Sequence, residues 1–226
     1  MRVSNQEPSK PSAPNEWSAS TRWRWFGLAL LPALLMPLGE WLSWRDSFAH
    51  HLGLLIGWFG TIPMAGPIIA VPVCLLGLCW QRHRRNAAWA LLCWLLALGS
   101  VIAGLLLAWP IKYGALAGVM HRAEPLITAI RKFEAEQGKP PPDLAALVPD
   151  HLATLPTPGI GTAPQFSYLL AGARTGMGDN PWMLEVHPPV AFIGFDVFIY
   201  LPKQNYPERG WGGVLERIGT WAYVHE

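Results

Sequence analysis

The stretch from Ala87 to Gly138 limits the folds open to this chain more than any other. Ala87 to Trp109 runs without a charged side chain, and about 20 apolar residues suffice to cross a bilayer as a helix. Beyond Pro110, apolar residues recur at Leu116, Val119, Met120, Ala123, Leu126, Ile127, Ile130 and Phe133, which is helical spacing. Arg122, Arg131, Lys132, Glu134 and Glu136 take the other face. Gly138 is placed to end the helix, and Pro125 either starts it at its first turn or kinks it. If Pro110 and Pro125 leave it unbroken, roughly 50 residues of helix reach about 75 Å at ~1.5 Å per residue. The same rod then crosses the membrane and forms the spine of whatever follows.

Charge divides the chain at the same place. Residues 1–109 carry eight Lys/Arg against four Asp/Glu, whereas residues 110–226 carry nine against eleven. Neither half has the dense basic face that a nucleic-acid partner requires. Cys74, Cys79 and Cys93 all lie in apolar segments and the second half has no cysteine, so no disulfide framework can be read. A domain of about 100 residues with strands can bury a usable core without one.

Residues 1–22 are rich in Pro and Ser with no apolar periodicity. Such a segment buries too little surface to offset its ordering entropy and is expected to be a disordered cytoplasmic tail. Gly27 to Leu42 is then an apolar run with Arg22 and Arg24 on one flank and Trp23, Trp25, Trp41 and Trp44 at its ends, as expected of a span with interfacial anchors. Pro32 and Pro37 would kink it, which membrane helices tolerate. A cleavable signal peptide ending at Ser47-Phe-Ala49 is the competing reading; the long preceding tail and long apolar run favour an uncleaved anchor.

Leu52 to Trp80 is too long for one untilted span, and Gly60-Thr-Ile-Pro63 and Gly66-Pro67 interrupt its pattern. A short interfacial helix over Asp46 to Trp58 followed by a span from about Ile62 to Trp80 is the economical solution, with a single long kinked helix as the alternative. The short connection Gln81-Arg-His-Arg-Arg-Asn86 concentrates positive charge, so Arg82, Arg84 and Arg85 determine topology by the positive-inside bias. Three spans, at about 25–44, 62–80 and 87–109, put the N-terminus inside and everything after Trp109 outside.

In the outer part, Pro140-Pro-Pro-Asp143 leads into a short helix capped by Asp143 and stopped by Pro149. Gln165–Leu170, Trp182–Val186, Phe192–Leu201 and Thr220–His225 have strand character, with Gly172–Pro181 joining the first two as an imperfect hairpin. The expected fold is therefore a membrane α-helical part with three transmembrane helices (residues 23–110) and a C-terminal α+β domain (residues 111–226). In that domain a long helix packs on a small antiparallel sheet.

The order of a long helix leaving a span, then Gly138-Lys-Pro140, then Leu144, Leu147, Leu152, Leu155-Pro156 and a meander resembles type IV pilin-like proteins and the major pseudopilins of type II secretion. The resemblance covers roughly Leu91 to Val186 and is architectural. It implies a shared helix-plus-sheet fold, a long helix whose apolar stripe is covered by a small antiparallel sheet. The pilin processing site, Gly-Phe-x-x-x-x-Glu ahead of the only apolar helix, has no counterpart before Leu91, and two further spans precede the relevant helix.

Catalytic constellations are weak. His121 and Glu124, three apart on one helix face, would offer two metal ligands but no third, so a solvated face is the simpler reading. His50 and His51 are adjacent and point apart on a helix, which suits interfacial anchoring. Glu40 is the one carboxylate in an apolar context and hence a candidate intramembrane polar site, although nearby Trp41, Trp44 and Arg45 allow it to reach the interface. The glycines of 159–161 and 172–178 neither follow a strand nor open a helix as a phosphate cradle does. No Gly-x-Ser-x-Gly, His-Glu-x-x-His or Cys/His pairing gives an enzyme mechanism support.

The aromatic load of the outer half, Tyr168, Trp182, Tyr200, Tyr206, Trp211, Trp221 and Tyr223, belongs mostly to a core. Tyr206, Arg209 and Trp211 are the candidate interaction surface. The functional expectation is a non-catalytic interaction or assembly domain anchored in a bacterial inner membrane and facing the periplasm. It uses no cofactor; its partners are the lipid bilayer and either another protein or a second copy. The alternative is a small-molecule or lipid-handling membrane protein that uses Glu40 and the broken second span.

Overall fold

The computed structural model describes residues 18–45, 47–80, 83–189, 195–207 and 211–225. Three long helices come first: α1 (Ala19–Ser43), α2 (Ser47–Cys79) and α3 (Arg84–Gln137). A 3-10 turn (Ala145–Leu147) and five strands follow: β1 (Ser167–Leu170), β2 (Trp182–Val186), β3 (Val197–Tyr200), β4 (Val214–Ile218) and β5 (Trp221–His225). The class expected from the sequence, helices followed by an antiparallel sheet, is what forms. Two of the helices, α1 and α3, are long and apolar enough to cross a membrane.

Helix boundaries correct two expectations and answer one question that the sequence leaves open. Ser18 caps α1 by accepting the Thr21 N–H at 3.2 Å, so Ala19–Arg22 is helical rather than part of the tail. Residues 1–17 lie outside the described residues. α2 is one helix from Ser47 to Cys79, so the division into an interfacial piece and a span does not hold. The Thr61 hydroxyl donates to the Trp58 carbonyl at 2.8 Å within the Gly/Pro-rich region, where backbone bonds are lost to proline. α3 passes through both Pro110 and Pro125 and ends only at Gly138, which adopts φ 70° and donates its N–H to the Glu134 carbonyl at 2.9 Å.

Small residues bring the three helices into contact. A Cβ on Gly39 would lie 2.8 Å from the Gly53 carbonyl oxygen and the Gly57 amide nitrogen, so α1 and α2 cross backbone to backbone. A Cβ on Gly104 would meet the Pro32 carbonyl oxygen at 2.7 Å, which sets the α1–α3 crossing. The Ser100 hydroxyl donates to the Ala29 carbonyl of α1 at 2.6 Å, deep in the same contact. At one end of the bundle the Arg22 guanidinium lies over the Trp89 ring at 5.4 Å, so the basic starts of α1 and α3 share that end.

The sheet order is β1-β2-β3-β5-β4 with every pair antiparallel. Side chains alternate by the period-two rule. Trp182, Leu184, Phe198, Tyr200, Trp221 and Tyr223 form one face and pack against Leu116, Val119, Ala123, Leu126, Ile127 and Ile130 of α3. The Phe198 and Trp221 rings stack with centroids 4.8 Å apart at the centre of this layer. Met183, Val197, Ile199, Ala222 and Val224 form the other face, covered by Met177 and Trp211 from the connecting loops. Both faces are thus buried, and β2 and β3 are buried throughout.

The short helix expected after Pro142 is a single 3-10 turn whose N-cap is Leu144, and the Asp143 carboxylate one residue earlier accepts the Ala146 N–H at 3.0 Å. β1, β2 and β5 fall within or on the expected strands. β3 covers only the second half of its expected range, whose residues Phe192–Gly194 lie outside the described residues. β4 was not expected from the sequence. It is an edge strand whose Glu216 and Arg217 hide the pattern, and it exists because the turn at Gly219 (φ 61°) folds it onto β5.

Candidate functional site

The polar groups concentrate where α3 leaves the bundle and meets the sheet. α1 delivers Glu40 and Trp44 to this junction, α3 delivers Lys112 and Tyr113, β4 delivers Glu216, and β5 delivers Tyr223 and His225. The Glu40 carboxylate accepts the Trp44 indole N–H at 2.7 Å, four residues along the same helix. Trp44 is only 6% exposed and belongs to the same apolar cluster as Leu116 and Trp221. It is therefore a plug beneath the sheet domain, which corrects its reading as an interfacial anchor.

On the α3 side, the Lys112 ammonium sits 4.0 Å from the centroid of the Tyr223 ring. The Tyr223 hydroxyl donates to the Asp196 carboxylate at 2.8 Å. The Tyr113 hydroxyl donates to Glu216 Oε1 at 2.5 Å, while His225 Nε2 lies 3.1 Å from Glu216 Oε2. His225 Nδ1 is 3.9 Å from Asp196, which closes the ring of contacts. Its members join residues that are 103 apart in sequence (Tyr113 and Glu216), so only the tertiary fold assembles it.

The protonation states follow from these contacts. Burial, then the hydrogen bond to Asp196, raises the Tyr223 hydroxyl well above the ordinary tyrosine value. The hydrogen bond to Glu216, then burial, raises Tyr113. Burial alone would push Glu216 up, but the bonds from Tyr113 and His225 hold it below its ordinary value. Near neutral pH both tyrosines stay protonated donors and Glu216 stays an anionic acceptor. Such an arrangement fixes elements in place; it presents no activated nucleophile. Among the described residues no group of three or more His, Cys, Asp or Glu side chains is placed to hold a metal ion.

A second polar cluster fixes the loops on the outer face of the sheet. Glu185, 5% exposed, receives Arg174 Nη1 at 2.5 Å and lies 2.8 Å from His187 Nε2. Burial works to raise its pKa, and the bonds from His187 and Arg174 overcome it, leaving the carboxyl below its ordinary value. The buried Asn180 side chain bonds the Met177 carbonyl, Asn205 and the Lys203 N–H, tying the two covering loops together.

The residues singled out from sequence distribute as follows. Trp211 is 4% exposed and packed against Gly176 and Met177, so it offers no surface. The half-buried Tyr206 hydroxyl accepts the Leu201 N–H at 3.0 Å and donates to the Thr220 carbonyl at 2.7 Å. Arg209 lies outside the described residues. Of the proposed recognition surface, Trp211 belongs to the core and Tyr206 packs half-buried against it. His121 Nδ1 lies 3.6 Å from Glu124 Oε2 on an exposed helix face, and His50 Nδ1 lies 3.0 Å from the Ser43 carbonyl oxygen at the α1–α2 corner. Arg84 and Arg85 open α3, and Arg82 lies outside the described residues.

Glu40 also borders a cavity of about 310 Å³ between the three helices, lined by Gly39, Ser43, Gly53, Gly57, Thr61 and Leu105 among others. Gly53-Leu-Leu-Ile-Gly57 is a small-x-x-x-small pattern that marks the α1–α2 crossing. Tyr113, Asp196 and Glu216 had no local pattern to mark them.

Compared with protein-family models, with curated proteins and with solved structures, the chain has no match. Fold and junction together define its class: a bundle of apolar helices, two of them long enough to span a membrane, whose third helix continues into an α+β domain and is clamped to it.

Proposed function

We propose that this protein is an inner-membrane-anchored scaffold that holds an interaction or assembly domain at a fixed height and orientation on the periplasmic side of a bacterial envelope. The observation that carries this reading is the unbroken α3 together with its junction. A domain meant only to be tethered needs a flexible linker, whereas here 54 helical residues run from the bundle to the far end of the sheet layer. The plug at Trp44 and the bonds of Tyr113, Glu216 and Tyr223 remove the remaining freedom about that helix.

The basic ends of α1 and α3 lie together and the sheet domain lies at the other end of α3, which supports an N-terminus inside and a domain outside. α2, about 50 Å long at ~1.5 Å per residue, is the third span, tilted or projecting. The resemblance to pilin-like proteins points to the same role, since a sheet laid across the outer half of a membrane-leaving helix is the layout it implies.

Fusing alkaline phosphatase, active only outside the cytoplasm, after Glu226 and separately after Arg85 tests the topology. Activity in the first fusion alone is expected, and activity in the second alone overturns the reading. Truncation after Gly138 should keep the protein in the membrane while abolishing its cellular role and any cross-linked partner.

A second reading, handling of a lipid or small molecule, is favoured by one observation, the cavity beside Glu40. Glu40→Gln separates the two readings. The scaffold tolerates it, because a glutamine oxygen can still accept from Trp44, whereas a carboxylate-dependent ligand would be lost.

A further inference from the structure

Among the described residues, the two most exposed large apolar side chains of the sheet domain are Phe195 at 72% and Val214 at 73% exposure. They lie at the same end of the sheet. Val214 pairs with His225 at the start of β4, and Phe195 precedes β3, in which Val197 pairs with Val224. Continuing that register puts Asp196 level with His225, as their 3.9 Å contact requires, and Phe195 one step beyond.

Two contacts fix the depth of that end along α3. Gly219, at the β4–β5 turn, lies against Met120, where an added Cβ would be 3.7 Å from Sδ. Glu216 bonds Tyr113. From Gly219 to Glu216 is about 10 Å of strand, and from Met120 to Tyr113 is about 10 Å of helix, so β4 descends alongside α3. Two further strand residues, about 7 Å, bring Val214 level with Trp109, and Phe195 reaches slightly deeper.

Trp109 is the end of the apolar run and is itself well exposed, as are Leu105 and Leu106 below it. Along the axis the order on α3 is apolar, then Trp109, then Lys112 and Tyr113. On the sheet it is Phe195 and Val214, then His225 and Glu216. The two elements therefore change from apolar to polar at one level, as at a membrane interface. Isolated exposed apolar residues need no explanation, but two at one rim, continuous with a membrane-embedded helix, do.

We infer that this rim of the sheet is a lipid-contacting surface: Phe195 and Val214 insert into the headgroup region of the leaflet through which α3 exits. The domain then stands on the bilayer as well as being held by α3. This rests on the reading of α3 as a span with the domain on its exit side.

The test uses the full chain in lipid nanodiscs, with Cys74, Cys79 and Cys93 replaced by serine and a nitroxide placed at one site at a time. Phe195→Cys and Val214→Cys report the rim, Leu106→Cys reports the span, and Leu170→Cys reports the opposite end of the sheet. Relaxation by oxygen, which concentrates in lipid, is compared with relaxation by a water-soluble nickel chelate. The expected result is a lipid-like ratio at position 106, an interfacial one at 195 and 214, and an aqueous one at 170.

Aqueous ratios at 195 and 214 with a lipid-like ratio at 106 overturn this inference alone. An aqueous ratio at 106 overturns the membrane reading beneath it. Dipolar broadening at 195 and 214 that disappears on dilution with unlabelled protein would assign the rim to a second copy and likewise overturn the inference.

Discussion

Trp44→Ala removes the plug through which α1 reaches the sheet domain. The side chain is almost fully buried and belongs to the same apolar cluster as Leu116, Val119 and the aromatic layer. Burying a tryptophan removes up to about 250 Å² from solvent, which at about 25 cal/mol per Å² amounts to some 6 kcal/mol as an upper bound. Measured core Phe/Trp→Ala losses are about 3–5 kcal/mol, and the lower end applies here because lipid or detergent can fill part of the space. The lost indole N–H also leaves Glu40 without its 2.7 Å donor. The scale is about 4–8 °C per kcal/mol for domains of 60–100 residues and about 2–4 °C for 150–250 residues, so about 3 kcal/mol should lower Tm by at least about 6 °C. Near-UV circular dichroism of the full chain in nanodiscs reads the melting of the aromatic layer. A shift below about 2 °C, about 1 kcal/mol or less on the same scale, would refute the clamp.

Four further outcomes follow from particular contacts. Gly53→Leu should separate α1 from α2, because even a Cβ there would sit 2.6 Å from the Gly39 carbonyl oxygen; cross-linking between cysteines placed on the two helices should fall several-fold, while Gly27→Leu, which faces open space, should leave it unchanged. Glu185, whose folded pKa lies below its ordinary 4.5, stabilises the domain fully above that ordinary value and progressively less as pH falls through the folded one. Melting of the full chain between pH 7 and pH 3 should accordingly show an acid-side loss that Glu185→Gln flattens while lowering stability at pH 7. Tyr113→Phe should cost about 1 kcal/mol, a bond to a charged but partly exposed acceptor, and a double-mutant cycle with Glu216→Ala, which removes the acceptor, should return most of it as coupling. Arg122→Ala should free the Pro158 carbonyl, which it now holds at 2.6 Å, and raise protease cleavage near Gly159 without lowering Tm much.

Local periodicity made the scaffold legible. The apolar run to Trp109, the helical spacing from Leu116 to Phe133, the Gly138 cap and most strands were visible because each is encoded within a few neighbouring residues. Pro63, Pro67, Pro110 and Pro125 misled or left questions open, since whether a proline breaks a helix depends on what packs around it. β4 was hidden by its charges, and those charges are what the junction uses. Trp44 looked like an interfacial anchor because its neighbours along the chain are Trp41 and Arg45; in space it belongs to the buried cluster that includes Leu116 and Trp221. Trp211 was likewise read from an exposed-looking loop, whereas the second sheet face requires a cover and takes it. The junction's polar ring had no sequence signal because its members meet only when α1, α3 and the sheet are already in place.

The central claim is that one uninterrupted helix carries the chain out of the bundle and sets the position of the sheet domain. Nitroxides at Leu95→Cys and Lys132→Cys, both exposed on α3, bracket both prolines. Thirty-seven residues of straight helix span about 55 Å at ~1.5 Å each. Pulsed dipolar spectroscopy in nanodiscs should return a single narrow distribution near that distance, lengthened or shortened only by the label arms. A broad distribution, or one centred well below it, would mean that Pro110 or Pro125 breaks the rod and that the domain is merely tethered.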